Sequence, residues 1–157
     1  MSWAKERLDG LVARQVEPPP VTSTLKLGLV DAWGEGWASK RWEPAPELLN
    51  WDGSLFGGYL AALADQMAAF AAMSVLPDRC AFRTLNLQMQ FFRIGAAQPL
   101  DLEARVTAQT RRLISVEVDF RRPDDVLIAR GAAQQAVSEL PASVEIGEGD
   151  GGAAGET

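Results

Sequence analysis

Polar and apolar positions alternate with a period of two along most of the second half of the chain. Thr84 to Phe92 sets Leu85, Leu87, Met89 and Phe91 against Thr84, Asn86, Gln88 and Gln90. Leu100 to Ala108 alternates apolar residues with Asp101, Glu103, Arg105 and Thr107, and Ile114 to Phe120 alternates them with Ser115, Glu117 and Asp119. Successive side chains of a strand point to opposite faces, so these segments predict three strands, each with one dry face. Val126 to Val137, after the Pro123-Asp124-Asp125 turn, predicts a fourth, whose many alanines suit close packing. Earlier, Thr24 to Pro44 predicts two strands around the turn Gly34-Glu35-Gly36, the first carried by Leu25, Leu27 and Leu29.

The pattern changes over Asn50 to Leu76. A glycine-rich turn runs into an alanine-rich segment of high helix propensity that stops at Pro77. Ser54 or the glycines can open this helix. At about 100° per residue, Leu60, Leu63, Met67, Phe70 and Ser74 share one side, a bulky stripe fit to pack on a sheet. Gly58, Ala61, Ala62, Asp65, Ala69 and Ala72 share the other, nearly smooth except for one carboxylate. Aspartate is a poor interior helix residue, so local stability does not explain Asp65. A solvated charge is its plainest reading; a crowded, functional position is the other. Two strands, one long helix and four strands predict an α+β domain in which a curved antiparallel sheet wraps the helix, the one element long and apolar enough to cover it.

Met1 to Arg14 predicts a short amphipathic helix, and Pro18, Pro19 and Pro20 a stiff connector. The division is therefore an N-terminal helical arm with its connector over 1–23, one domain over 24–140, and an acidic, glycine-rich tail over 141–157 with too little apolar surface to order it. Trp33, Trp37 and Trp42 crowd around one turn, as core or subunit contact or as the lining of an apolar pocket. No apolar run spans a bilayer, and the N-terminus lacks the apolar stretch of a signal peptide, so a cytoplasmic location without membrane contact is expected.

Charge and residue counts narrow the chemistry. A net charge of -6 repels phosphate backbones and argues against nucleic acid as the main partner. The chain has no histidine and one cysteine, Cys80. That excludes Ser-His-Asp and Cys-His catalysis, histidine-based dehydration, and ordinary zinc sites, so no metal is expected. Acid-base work must fall to Asp, Glu, Lys, Tyr or water.

The element order, with LFGGYLAALADQM followed by TLNLQMQFFR, resembles the hotdog-fold acyl-CoA thioesterases of the PaaI-like group over roughly Leu25 to Val137. In that family a His-Gly-Gly turn opens the central helix and an acid follows in its body. Here Phe56-Gly57-Gly58 holds the turn, Asp65 falls at the acid's spacing, Asn50 matches an asparagine before the turn, and Thr84 matches a hydroxyl position on the third strand. The departure is Phe56 in place of histidine. The resemblance implies thioester hydrolysis, with Asp65 as general base or nucleophile, the Gly58 amide beside Gly57 polarising the carbonyl, and Thr84 and Asn50 orienting the water or the acid. Phe56 and Gly57 would line the substrate. Arg93, Arg111 and Arg112, with Arg121 and Arg122, are candidates for the phosphates of coenzyme A, which is part of the substrate; no separate cofactor is implied.

Gly58 and Asp65 are seven residues apart, about 10 Å along one helix, too far to reach one carbonyl carbon. The shared face therefore predicts a homodimer whose two sites each combine Gly58 of one subunit with Asp65 of the other; such dimers can pair further. Phe56 leaves open a non-catalytic acyl-CoA or lipid-binding protein on the same fold. An unrelated β-rich interaction module would instead leave Asp65 in open solvent.

Overall fold

The computed structural model describes residues 2–144, so the predicted tail lies, from residue 145, outside the described residues. Its centre is helix α3, Gly57–Val75, which begins after the extended Phe56 and ends at the extended Leu76 ahead of Pro77. Among the described residues no side chain caps its start. Ser54 does not open the helix: its backbone N–H and hydroxyl both bond Asp52, closing the preceding turn on itself. Leu63 and Met67 are completely buried, as their stripe predicts. On the opposite face Gly58 is exposed and Ala61, Ala62, Asp65 and Ala69 are half-buried, but Ala72 is fully buried.

Among the described residues six strands wrap this helix: β1 (Ala32–Gly34), β2 (Trp37–Trp42), β3 (Cys80–Phe91), β4 (Leu100–Gln109), β5 (Leu113–Arg121) and β6 (Leu127–Glu139). The sheet order is β1-β2-β4-β5-β6-β3, and every pair is antiparallel. This long central helix on a six-stranded antiparallel sheet is the hotdog arrangement. Leu100, Leu102, Ile114, Val118 and Phe120 make the buried inner face. At Gly131 of β6 a Cβ would stand 2.8 Å from the Ala64 Cβ, so the absent side chain lets the helix sit down on the sheet. β3, twelve residues long, forms one edge of the sheet and among the described residues pairs only with β6.

The register of β3 corrects the simple alternation. Thr84 pairs with Gln135 and Asn86 with Gln134, so Leu85 is an extra, bulged residue. The bulge turns Thr84 away from the polar set of Asn86, Gln88 and Gln90 and toward the helix.

The first predicted strand is also corrected. Only Ala32–Gly34 is extended. Pro20 opens a short helix, α2 (Pro20–Thr24), rather than continuing a stiff connector. Lys26 (φ 54°) and Gly28 (φ 72°) are left-handed, which no strand accommodates. The carbonyls of this segment are satisfied by side chains instead of a ladder. The Tyr59 hydroxyl lies 2.7 and 2.8 Å from Leu25 O and Lys26 O, Lys40 Nζ donates to Leu27 O at 2.6 Å, and Gln66 Nε2 donates to Gly28 O at 2.8 Å. Helix α1 (Trp3–Val12) packs on α3, burying Ala4, Leu8 and Leu11, and Trp3 Nε1 donates to Cys80 O at 3.1 Å. Among the described residues no helix is long and apolar enough to cross a membrane.

Candidate active site

The bulge in β3 brings a hydroxyl to the one acid of α3. Thr84 Oγ1 donates to Asp65 Oδ1 at 2.7 Å, and the same oxygen lies 3.1 Å from Gln135 Oε1 on β6. Asp65 is half-buried and Thr84 exposed beside the unpaired edge, whereas Gln135 is fully buried. Alanines on either side of Asp65 leave this face low, so the carboxylate is the one polar group raised on it. Asp65 Oδ2 accepts no hydrogen bond among the described residues, which leaves it open to a ligand or a water.

The glycine turn forms the second part of the site. Tyr59 N and Leu60 N both donate to Phe56 O, while the Gly57 and Gly58 amides donate to nothing among the described residues. They are the free N–H groups of a helix start, where the dipole adds positive potential. Aromatic rings flank them. A Cβ on Gly57 would stand 3.1 Å from Phe91 Cζ, and one on Gly58 would stand 2.9 Å from Phe56 Cε1. Both rings are more than half exposed.

The other candidates lie apart. Asn50 spends its side-chain amide on its own turn, donating to Ser54 Oγ at 3.0 Å and Leu55 O at 3.3 Å, and has no bond to Asp65 or Thr84 within the chain. Arg93 follows β3 near the helix start and donates to Leu127 O at 2.8 Å. Arg111 and Arg112 are exposed on the β4–β5 turn, near the helix end, where Gln109 Nε2 donates to Val75 O at 3.1 Å. Arg121 and Arg122 are engaged with Asp119 and Asp124 at 3.2 and 2.5 Å. Burial alone would raise the Asp119 carboxyl, but hydrogen bonds from Arg130 and Arg105 outweigh it and hold the group below its ordinary value. The three tryptophans do not line one pocket. Trp42 is buried with its ring centroid 5.4 Å from that of Tyr59, Trp33 donates to Asp9, and Trp37 is exposed.

Two inward polar residues escaped the sequence reading. Gln135 follows Ala129, Gly131 and Ala133 in phase on β6, and Lys40 lies between Ala38 and Trp42 in phase on β2. A polar residue in step with a core-facing series was the available signal. Lys40 Nζ donates to Leu27 O and to Gln66 Oε1. Burial pushes it from 10.5 down to about 7, against a smaller upward pull from Asp31.

Comparison with known proteins places these elements. The family model described as Thioesterase superfamily matches residues 52–129, from the glycine turn into β6. The structure of a phenylacetic acid degradation-related protein of Ralstonia eutropha is 26% identical over 82% of this chain and 98% of that one, with a TM-score of 0.73. A conserved protein of Pseudomonas aeruginosa is 28% identical over 80% of this chain and 99% of that one, with a TM-score of 0.68. A hypothetical thioesterase protein of Streptococcus pneumoniae, solved with coenzyme A, is 19% identical over 71% of this chain and 85% of that one, with a TM-score of 0.65, a likeness of fold. No curated protein matches the sequence.

Proposed function

We propose, because this chain belongs to the thioesterase superfamily and has the hotdog fold, that it hydrolyses acyl-CoA thioesters to a free acid and coenzyme A, with Asp65 as the group that attacks or activates water. The observation that carries this reading is the 2.7 Å hydrogen bond from Thr84 to Asp65, set under an open sheet edge. A carboxylate held by a single hydroxyl keeps one oxygen free. That oxygen either takes a proton from water as the water attacks the carbonyl carbon, or attacks the carbon itself to give an acyl-enzyme that water then cleaves. In both routes the carbonyl oxygen gains negative charge, and the unpaired Gly58 amide, with Gly57 beside it, is the donor suited to stabilise it. The sulfur leaves as thiolate and takes up a proton.

One chain holds half of each site under this reading, since Gly58 and Asp65 are about 10 Å apart along α3. The β3 edge supports a second copy as the source of the other half. It is twelve residues long, alternate residues turn their backbone groups to the open side, and Leu85, Phe91, Phe92 and Ile94 stand exposed on or beside it. An apolar edge of that length is a template for pairing, and pairing to a like edge closes it. That a structural relative of the same fold was solved with coenzyme A supports the choice of thiol. Arg93, Arg111 and Arg112 are then the groups to meet its phosphates.

One observation favours a second reading, a non-catalytic acyl-CoA or lipid-binding protein. The apolar ring of Phe56 stands against Gly58, at the position where the related motif has histidine. A thiol-release assay across short, medium and aromatic acyl-CoAs separates the two. The catalytic reading expects turnover by the native chain and a loss of about a hundredfold or more in Asp65→Asn with assembly unchanged. Ligand-induced thermal stabilisation without thiol release from any thioester would favour the binding reading instead.

A further inference from the structure

Gln135 is the buried amide that nothing in the proposed chemistry uses. It is 0% exposed, and its Nε2 has no hydrogen-bond partner among the described residues. Its Oε1 lies 3.1 Å from Thr84 Oγ1, the oxygen whose proton reaches Asp65 at 2.7 Å. A threonine hydroxyl has one proton and two lone pairs, and an ionised carboxylate can only accept. The proton therefore belongs to Asp65, the charged and nearer acceptor. This leaves the Gln135 oxygen facing a lone pair and its donor facing nothing.

Turning the amide over about its last bond exchanges nitrogen and oxygen at almost no change of shape. Nε2 then donates to Thr84 Oγ1. One rotation removes an oxygen–oxygen contact and gives the buried donor its acceptor. We propose that Gln135 is a positioning residue: its side-chain amide donates to Thr84, which commits the threonine's only proton to Asp65 Oδ1 and leaves Oδ2 free for the reaction. The catalytic purpose rests on the thioesterase reading; the hydrogen bond itself does not.

The geometry gives the amide leverage without touching a ligand. With the donor in place, the hydroxyl cannot swing its proton toward β6. Without it, the hydroxyl is free to rotate and Asp65 loses its fixed orientation. Substrate binding should be indifferent to a fully buried residue, so the effect belongs in kcat.

Two measurements test this on the full chain. In thiol-release kinetics, Gln135→Met, which keeps the unbranched shape and removes the donor, should lower kcat about tenfold with KM nearly unchanged. The same substitution made in a Thr84→Val background should cost almost nothing further, because the proton it controls is already gone. Equal losses in both backgrounds would mean that Gln135 only fills space, and would overturn the proposal. The second measurement leaves Gln135 intact and needs no activity. The NMR signals of its side-chain NH2 should shift in Thr84→Val and stay close to their native positions in Thr84→Ser. Indifference of those signals to Thr84→Val would overturn the proposal even if Gln135→Met fails to fold. Absence of thiol release by the native chain would overturn the thioesterase reading alone, and the amide signals would still decide on Gln135.

Discussion

At the scale of single residues, the chain buries polar groups where they tie one segment to another. Lys40 is 3% exposed and joins Leu27 O to Gln66 of α3. Burial lowers its proton affinity from 10.5 to about 7. The unfolded chain keeps that proton up to its ordinary value, so between about 7 and 10.5 it binds one more proton than the folded chain. Stability contributed at this site must then rise with pH across that window. Below it, both states are charged and the full cost of the buried ammonium is present. Urea unfolding of the native chain and Lys40→Met should therefore diverge as pH is raised from 7, with the native chain gaining on the variant. Parallel curves would mean that the lysine keeps its proton when buried. The candidate acid was legible because an aspartate in an alanine run has no local reason to be there. Gln135 and Lys40 were not, because whether a polar residue in a strand faces core or water depends on register, which pairing across the sheet decides.

At the scale of elements, strong periodicity carried over and local interruptions did not. Helix α3 was legible from its alanines and Pro77, β4 and β5 from alternation, and β6 from the turn before its alanine-rich run. The bulge at Leu85 was hidden, since an inserted residue leaves no mark in a sequence that alternates through it. Yet that residue sets the Thr84–Asp65 hydrogen bond, by turning Thr84 toward α3. The segment around Leu27 alternates like a strand but is held by Tyr59, Lys40 and Gln66, side chains from elsewhere in the chain. Leu85 has a second consequence. It is 67% exposed on the open edge. Leu85→Lys puts a charge where two such edges would meet, which is how natural edges avoid pairing. If each site needs both chains, as proposed, sedimentation should show the variant shifted from dimer to monomer, with thiol release falling in parallel. A variant that stays dimeric and fully active would remove β3 from the interface.

At the scale of the whole molecule, the placement of the charged candidates fits a pair better than a single chain. Helix α3 has 19 residues, about 28 Å from end to end at ~1.5 Å per residue. Arg93 lies near its start and Arg111 and Arg112 near its finish, too far apart to share one ligand within a chain. Antiparallel helices in a two-fold pair with Gly58 opposite the partner's Asp65 set the start of one beside the middle of the other. The gap along the axis between Arg93 and the partner's β4–β5 turn thereby falls to about 14 Å, nine residues at ~1.5 Å each. Sharing of this kind has a quantitative signature. A chain crippled at Gly58 (Gly58→Val) still supplies a sound Asp65, and a chain carrying Asp65→Asn still supplies a sound glycine turn. Each variant alone should be nearly inactive. In a mixed dimer one site inherits both defects and the other neither. Random reassortment makes half of the dimers mixed, each with one sound site of two, so the mixture should recover about a quarter of native activity. Sites built within single chains would recover nothing on mixing, because every chain would still carry its own defect.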